Sequence, residues 1–296
     1  MKFGNPEENN ISNILDLQNI GIKKYMDTKI TIIRTFWGNT KRALNEIFPM
    51  PIFPNEVVYV WGLENQQMLQ QRGFNTVLMG KECTESEYST IHLQYYHKLQ
   101  AIQRAETEHS EFIFLDWDCY LAKPLDDHFY QQLQKGNDVQ VPLYAYHDSE
   151  GIGIVDIMTH SAQERYNNEA PPELLAYIAS HEAQLRKYSW KFENMLVTPN
   201  FSFFYTRNPN VGEELIKIAT ENNILNCIEE HAFYLFANCT VDEYIAKFEP
   251  RVTYGTHNDT RMHMERKGYD LSNDPVIKIN KYIDMKVNKN IYFKHI

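Results

Sequence analysis

The sequence predicts an α/β protein built on a doubly wound, mostly parallel sheet, and three observations carry that prediction. Short apolar runs alternate with amphipathic stretches through the first half, the pattern of strands joined by crossover helices. The runs at Ile30–Phe36, Val57–Trp61 and Phe112–Leu115 are rich in β-branched and aromatic residues, as strands covered on both faces are. The last of them runs into Asp116 and Asp118, and in such sheets ligands lie beyond the carboxyl ends of the strands.

The elements follow in order. A helix is expected within 11–25, then the strand at 30–36. A short helix over about 40–48 is stopped by the proline-rich Pro49–Pro54. After the strand at 57–61, Leu63–Arg72 is a helix that Gly73 closes, because glycine enters the left-handed conformation freely. Thr76–Met79 is a third short strand. The helix at roughly 89–107 sets Tyr95, Leu99 and Ile102 on one face. Beyond the strand at 112–115, Asp126–Lys135 is a helix ended by Gly136 and Val139–Tyr146 a strand. Gly151–His160 reads as loop and strand, and Pro171–Tyr188 as a long amphipathic helix. Asn200–Tyr205 is a strand, with helices over about 211–221 and Glu229–Ala237. Past Pro250 the chain is polar, with short strands expected near its end. There is no internal repeat, low-complexity tract or interdomain linker.

At 296 residues the chain can bury a large core. A net charge of −10 argues against a general nucleic-acid binder, which needs a basic stripe to displace counterions. The 19 Tyr, 16 Phe and 4 Trp mostly fill the core, but amphipathic rings also suit sugar faces. Cys83, Cys119, Cys227 and Cys239 have neither zinc-site nor disulfide-framework spacing, which fits a reducing compartment. The N-terminus lacks the basic start and apolar run of a secretory signal, and no stretch is long enough to span a membrane. The expectation is a cytoplasmic protein, with peripheral membrane contact left open. The sequons at Asn10, Asn200, Asn238 and Asn258 are then chance matches.

Asp116 and Asp118 stand out chemically. Two close carboxylates repel unless a cation sits between them, and oxygen donors suit a hard divalent ion that also holds a diphosphate. The apolar strand, Asp116-x-Asp118 and the following Lys123-Pro124-Leu125 resemble the DxD signature of glycosyltransferases with the GT-A fold. The resemblance spans about residues 30–260. It implies one GT-A-like domain over 1–296. A nucleotide-sugar-binding half would cover about 28–136, an acceptor-binding half about 137–260 and a C-terminal extension 261–296.

The resemblance also assigns roles. Asp116 and Asp118, with His257 returning from the tail and His263 as the next candidate, would hold Mn2+ or Mg2+. Nitrogen among the ligands favours Mn. Lys98 would face the donor phosphates or Asp116. Thr35 and Trp37 would contact nucleobase and ribose, Trp117 the donor, and Asn200 and Ser202 the acceptor-side strand. Glu229 or Glu230, at a helix start, resembles the acidic element that faces the acceptor hydroxyl as general base. Carboxylates in a first helical turn are also what the helix dipole alone favours. The reaction implied moves a sugar from a nucleotide-diphosphate-sugar, read as a UDP-sugar, to a hydroxyl acceptor such as a glycan. D-x-D with a returning His tips the choice towards retention. Gly151–Gly153 or the tail beyond 255 would close over the donor.

Two other readings stay open. Leu115-Asp116-Trp117-Asp118 also resembles the haloacid dehalogenase phosphatase motif, with the first Asp as nucleophile and the second as general acid. Cys119 and Tyr120 stand where that motif has Gly and Thr, and it usually lies near a chain's start. A non-catalytic carbohydrate-binding protein would use the aromatics but has no use for paired aspartates.

Overall fold

The strand rich in Ile, Thr and Phe at 31–36 becomes the centre of a six-stranded sheet. In the computed structural model this is β1 (Thr31–Phe36). The structure describes residues 30–37, 50–53, 55–82, 92–117, 119–148, 172–224, 227–252, 254–256, 274–287 and 289–295. β1 pairs in parallel with β2 (Glu56–Trp61) on one side, and β2 in turn with β3 (Asn75–Gly80). On its other side β1 pairs in parallel with β4 (Phe112–Leu115). With later strands numbered in chain order, the sheet continues through the antiparallel β10 (Phe203–Thr206) to β6 (Val139–Gln140). β10 alone runs against the rest, so the sheet is mostly parallel as the sequence predicts.

The chain winds outward from β1 to β3 and then returns to β4 on β1's far side. That reversal opens a crevice at the carboxyl ends of β1 and β4. Among the described residues, α1 (Leu63–Gln71) makes the crossover from β2 to β3 and α2 (His92–Glu108) the one from β3 to β4. Gly73, at φ 86°, ends α1 as its sequence signal predicts. Side chains alternate across each strand, so each crossover has its own apolar face to cover. Leu69 of α1 packs on Phe36, Val58 and Val60. Leu99, Ile102 and Ala105 of α2 pack on the opposite face, with Ile33, Tyr59, Phe112 and Phe114. α3 (Asp127–Lys135), capped by Asp126, adds Phe129 and Leu133 against Ile113 and Leu115. The sheet is therefore covered on both sides.

Two smaller sheets and further helices complete the molecule. β7 (Leu143–His147), β9 (Met195–Pro199) and β8 (Trp190–Phe192) form an antiparallel sheet. β5 (Cys119–Leu121) pairs antiparallel with β12 (Phe293–His295), which pairs in parallel with β11 (Tyr254–Thr256). α4 (Pro172–Lys187) precedes β8. α5 (Val211–Glu221) and α6 (Ile228–Ala237) join α2 on its face of the sheet. α7 (Val241–Lys247) and α8 (Pro275–Lys286) follow. The C-terminal segment is woven into the cores: Ile279 and Ile283 lie in the main one, and Tyr292 and Phe293 pack on Phe129. No described helix is long and apolar enough to cross a membrane.

Several elements differ from the sequence reading. The strand expected over Val139–Tyr146 splits at Val141–Pro142. Proline has no N–H for the ladder, so β6 stays in the main sheet while β7 pairs with β9. The strand expected from Asn200 begins only at Phe203, because the Asn200 side chain accepts the Ser202 N–H and folds a turn. The hairpin of β8 and β9 and helices α7 and α8 were not foreseen. The elements expected at 11–25, 40–48 and 151–160 lie outside the described residues.

The seating of α2 against α5 tests this packing. A Cβ on Gly212 would stand 2.6 Å from the backbone N of Gln103 and 2.8 Å from its Cα, which is backbone and cannot swing aside. Gly212→Ala should therefore lower stability by about 1–3 kcal/mol through overpacking. Thermal unfolding checks it, and an unchanged midpoint would mean that the helices do not approach this closely.

Candidate active site

β4 ends at the crevice, and Asp116 is its next residue. The Asp116 N–H donates to the Ser202 carbonyl (3.1 Å), and its own carbonyl accepts the Cys119 N–H (3.1 Å). Its side chain meets Lys98 from α2, with Nζ 2.9 Å from Oδ2. The same ammonium lies 3.2 Å from Oε1 of Glu229 on α6. Lys98 is 12% exposed, Asp116 24% and Glu229 only 1%. α6 begins from Cys227 in the left-handed region (φ 40°), a costly conformation for a non-glycine residue. Glu229 and Glu230 occupy its first turn, where the helix dipole favours negative charge. The Glu230 carboxylate accepts the backbone N–H of Phe201.

Three carboxylates thus surround one ammonium. Burial raises the pKa of both glutamates, and the charge of Glu229 raises Glu230 further, while Lys98 works against both shifts. For Lys98, burial pulls the pKa down, but Asp116 and Glu229 outweigh it and keep the amine protonated. Oε2 of Glu229 is buried and has no hydrogen-bond partner among the described residues. Tyr146 of β7 borders the cluster. Burial, then the Glu230 charge, holds its phenol well above the ordinary range.

The structure brings together Lys98, Asp116, Glu229 and Glu230 from the predicted set. Asp118, His257 and His263 lie outside the described residues. Among the described residues no three His, Cys, Asp or Glu side chains converge as a ready metal cage. The donor chemistry nonetheless fits a hard divalent ion: Asp116 offers a partly exposed carboxylate oxygen, with two further carboxylates beside it.

The remaining predicted residues divide. The Thr35 carbonyl accepts the Trp117 indole N–H at 2.6 Å. Trp117 also lies edge-on to Phe36 and Phe74. Trp37, half-buried, packs against Trp61 and His97, which stack on each other with ring centroids 4.0 Å apart. The Ser202 backbone carbonyl accepts the Asp116 N–H, and the Asn200 side chain holds that turn by accepting the Ser202 N–H. Lys123-Pro124-Leu125 serves packing: Lys123 lies over the Tyr292 ring at 3.8 Å, and Leu125 is core.

Sequence reasoning missed Arg34 and Glu56. Both are buried, and Arg34 Nε lies 2.8 Å from Glu56 Oε1, while Arg34 Nη1 donates to the Asp116 carbonyl. The signal was present as a single arginine interrupting the apolar run Ile32-Ile33-Arg34-Thr35-Phe36.

No protein-family model matches the chain, and no curated protein matches it. Among solved structures it is similar to the apo form of mouse xyloside xylosyltransferase 1. That likeness has 8% identity over 90% of this chain and 97% of the other, with a TM-score of 0.37. It is also similar to apo WbbM, a bifunctional glycosyltransferase, at 12% identity and a TM-score of 0.33. There the match covers 91% of this chain but 46% of WbbM. TM-scores of this size carry no argument about this chain.

Two outcomes follow from the charge cluster. Lys98→Met leaves buried carboxylates without their cation, a loss expected to cost about 3–5 kcal/mol. Denaturant titration at neutral pH measures it, and the loss should shrink in acid as the carboxylates protonate. The second concerns Glu230. Its pKa is raised above the ordinary 4.5, so the folded state binds protons more tightly than the unfolded state. That contribution is present in full below pH 4.5 and fades as pH rises through the folded value. Relative to Glu230→Gln, the parent should therefore lose stability as pH rises across that window. Parallel calorimetric curves for the two proteins would show that the shift is absent.

Proposed function

We propose that the chain is a metal-dependent glycosyltransferase of GT-A type. It would move a sugar from a nucleotide-diphosphate-sugar, most simply a UDP-sugar, to a hydroxyl acceptor such as a glycan. The observation that carries this reading is the Lys98–Asp116–Glu229–Glu230 cluster at the crevice where the parallel strand order reverses.

Asp116, Asp118 and His257 are the residues that would hold Mn2+ or Mg2+. The ion would supply Lewis-acid stabilisation of the diphosphate leaving group. Strand register supports the grouping. Cys119 and Thr256 both stand opposite His295 in the β5–β12–β11 sheet. β5 starts, and β11 ends, at that same end of the sheet. Cys119, the residue after Asp118 in sequence, and Thr256, the residue before His257, thus stand at one end of this sheet on either side of β12.

The two glutamates take different parts. Glu229, almost fully buried and tied to Lys98, fixes the ammonium beside Asp116. Glu230 is less buried and is the one to meet the acceptor hydroxyl. A carboxylate of raised pKa is a stronger base, so Glu230 can take that proton in a direct, inverting attack. In a retaining reaction the leaving phosphate takes the proton and Glu230 orients the sugar. Retention is the reading kept here. Trp37, with Trp61 at the end of β2 and His97 of α2, would offer rings to the nucleobase, and Thr35 the ribose contact.

Thermal-shift screening of nucleotide-sugars with and without Mn2+ tests the donor class, since ligand binding stabilises by mass action. Asp116→Asn or Asp118→Asn should cost on the order of 10²–10³ in transfer rate with the fold intact, as loss of transition-state electrostatic support does. Full activity in a chelator would end the metal-dependent reading, and His257→Ala should raise the Mn2+ concentration required. The anomeric configuration of the product, read by NMR, decides the stereochemistry. An inverted product, with Glu230→Gln losing roughly 10²–10⁴ in rate, would make Glu230 the base and retention wrong.

A further inference from the structure

A charged pair buried in a sheet core is costly to desolvate and is weak evidence of a stability role. Arg34 and Glu56 form such a pair between β1 and β2, at 0% and 2% exposure. Glu56 is fully engaged: Oε1 takes Arg34 Nε, and Oε2 accepts the backbone N–H groups of Ile52 (3.1 Å) and Phe53 (3.3 Å). Arg34 then reaches across the sheet, its Nη1 donating to the Asp116 carbonyl and its guanidinium lying 5.2 Å from the Trp117 ring centroid. Trp117 is tied back to β1 through the Thr35 carbonyl. The residues after β4 are thus held from one side by Arg34 and Trp117, while Ser202 and Lys98 hold Asp116 from the other.

We propose that Arg34, oriented by Glu56, is a positioning residue: it fixes the Asp116–Trp117 backbone so that the Asp116 carboxylate stays on Lys98 and on the ligand that the crevice binds. Only a guanidinium does this. Its rigid fork can serve Glu56 and the carbonyl together, whereas the ammonium of a lysine is a single flexible point. The proposal rests on the glycosyltransferase reading for its rate effect, but its structural half stands apart from it.

The test uses the full chain carrying Arg34→Met with Glu56→Gln. This removes both charges together and keeps an amide to hydrogen-bond the Ile52–Phe53 loop. The expected result is a folded protein whose transfer kcat falls on the order of 10²-fold, because small misplacements of a reacting group are that costly. The donor KM should change far less. Trp117 emission, isolated by subtracting the Trp117→Phe spectrum, should move to longer wavelength and become easier to quench. A pair that matters only for packing would lower the melting temperature and leave kcat and the Trp117 signal alone. If the double variant does not fold, Arg34→Lys keeps the charge on Glu56 and should show the same kcat loss and emission shift.

Asp116→Asn runs beside these variants. An inactive Asp116→Asn with wild-type kcat in the Arg34 variants overturns the positioning role and spares the proposed function. A parent that transfers from no UDP- or GDP-sugar overturns the function instead. The positioning role is then judged by the Trp117 emission, and an unchanged spectrum overturns it.

Discussion

The candidate site is organised around a buried ammonium, that of Lys98. Among the described residues Lys98 is the one ammonium within salt-bridge reach of both Asp116 and Glu229, and a third carboxylate, Glu230, adds to the field it answers. Burying these charges costs several kcal/mol per ion, and that cost is recovered only where partners are close and well oriented. Apolar side chains would fill the same space at lower cost. On the proposed reading, the charged groups kept at the mouth of the sheet would prepare it for a charged ligand.

Topology explains why these residues meet. A helix crossing from β3 to β4 leaves the carboxyl ends of the parallel strands and returns over the sheet face to the start of β4, beside Thr31 of β1, so its early turns lie near the end of β1. Lys98 lies on that helix, within the turn carrying Leu99, whose burial fixes the helix rotation. β10 runs antiparallel beside β4, so its preceding turn lies against the end of β4, and there Ser202 takes the Asp116 N–H. α6 joins the same face and presents Glu229 from its first turn. Each contact is a consequence of strand order as much as of residue type.

The first half was legible because its period and punctuation agree. Apolar strands, an amphipathic α2 and Gly73 as a stop each encode the element locally. The resemblance brought Lys98, Asp116 and the glutamate pair forward as candidates, and the fold sets them side by side. The rest failed for identifiable reasons. Pro142 hides a change of sheet inside what reads as one strand, and the Asn200 turn hides in apolar surroundings. α7 and α8 had signals that went unread, the Thr240–Glu243 capping box and the Asp274–Pro275 start. Lys123-Pro124-Leu125, which entered only as a flank of the motif, packs with Tyr292 and the core. Arg34 could not be assigned from sequence, because its partners Glu56 and Asp116 lie 22 and 82 residues away.

Charge balance links the parts of the proposed site. With every carboxylate ionised, the cluster already carries more negative than positive charge, and a nucleotide diphosphate would add to it. Two adjustments can offset that. The glutamates can take up protons, which their raised pKa values favour, or a divalent cation can enter beside Asp116. The two are not equivalent. A protonated Glu230 cannot accept a proton from an acceptor hydroxyl, whereas a cation at Asp116 neutralises the donor and, by its field, lowers the pKa of nearby carboxylates. An ion would therefore do more than hold the diphosphate. It would return Glu230 to the ionised form in which the carboxylate can orient or deprotonate an acceptor, so donor binding and readiness of the acceptor side would share one electrostatic cause.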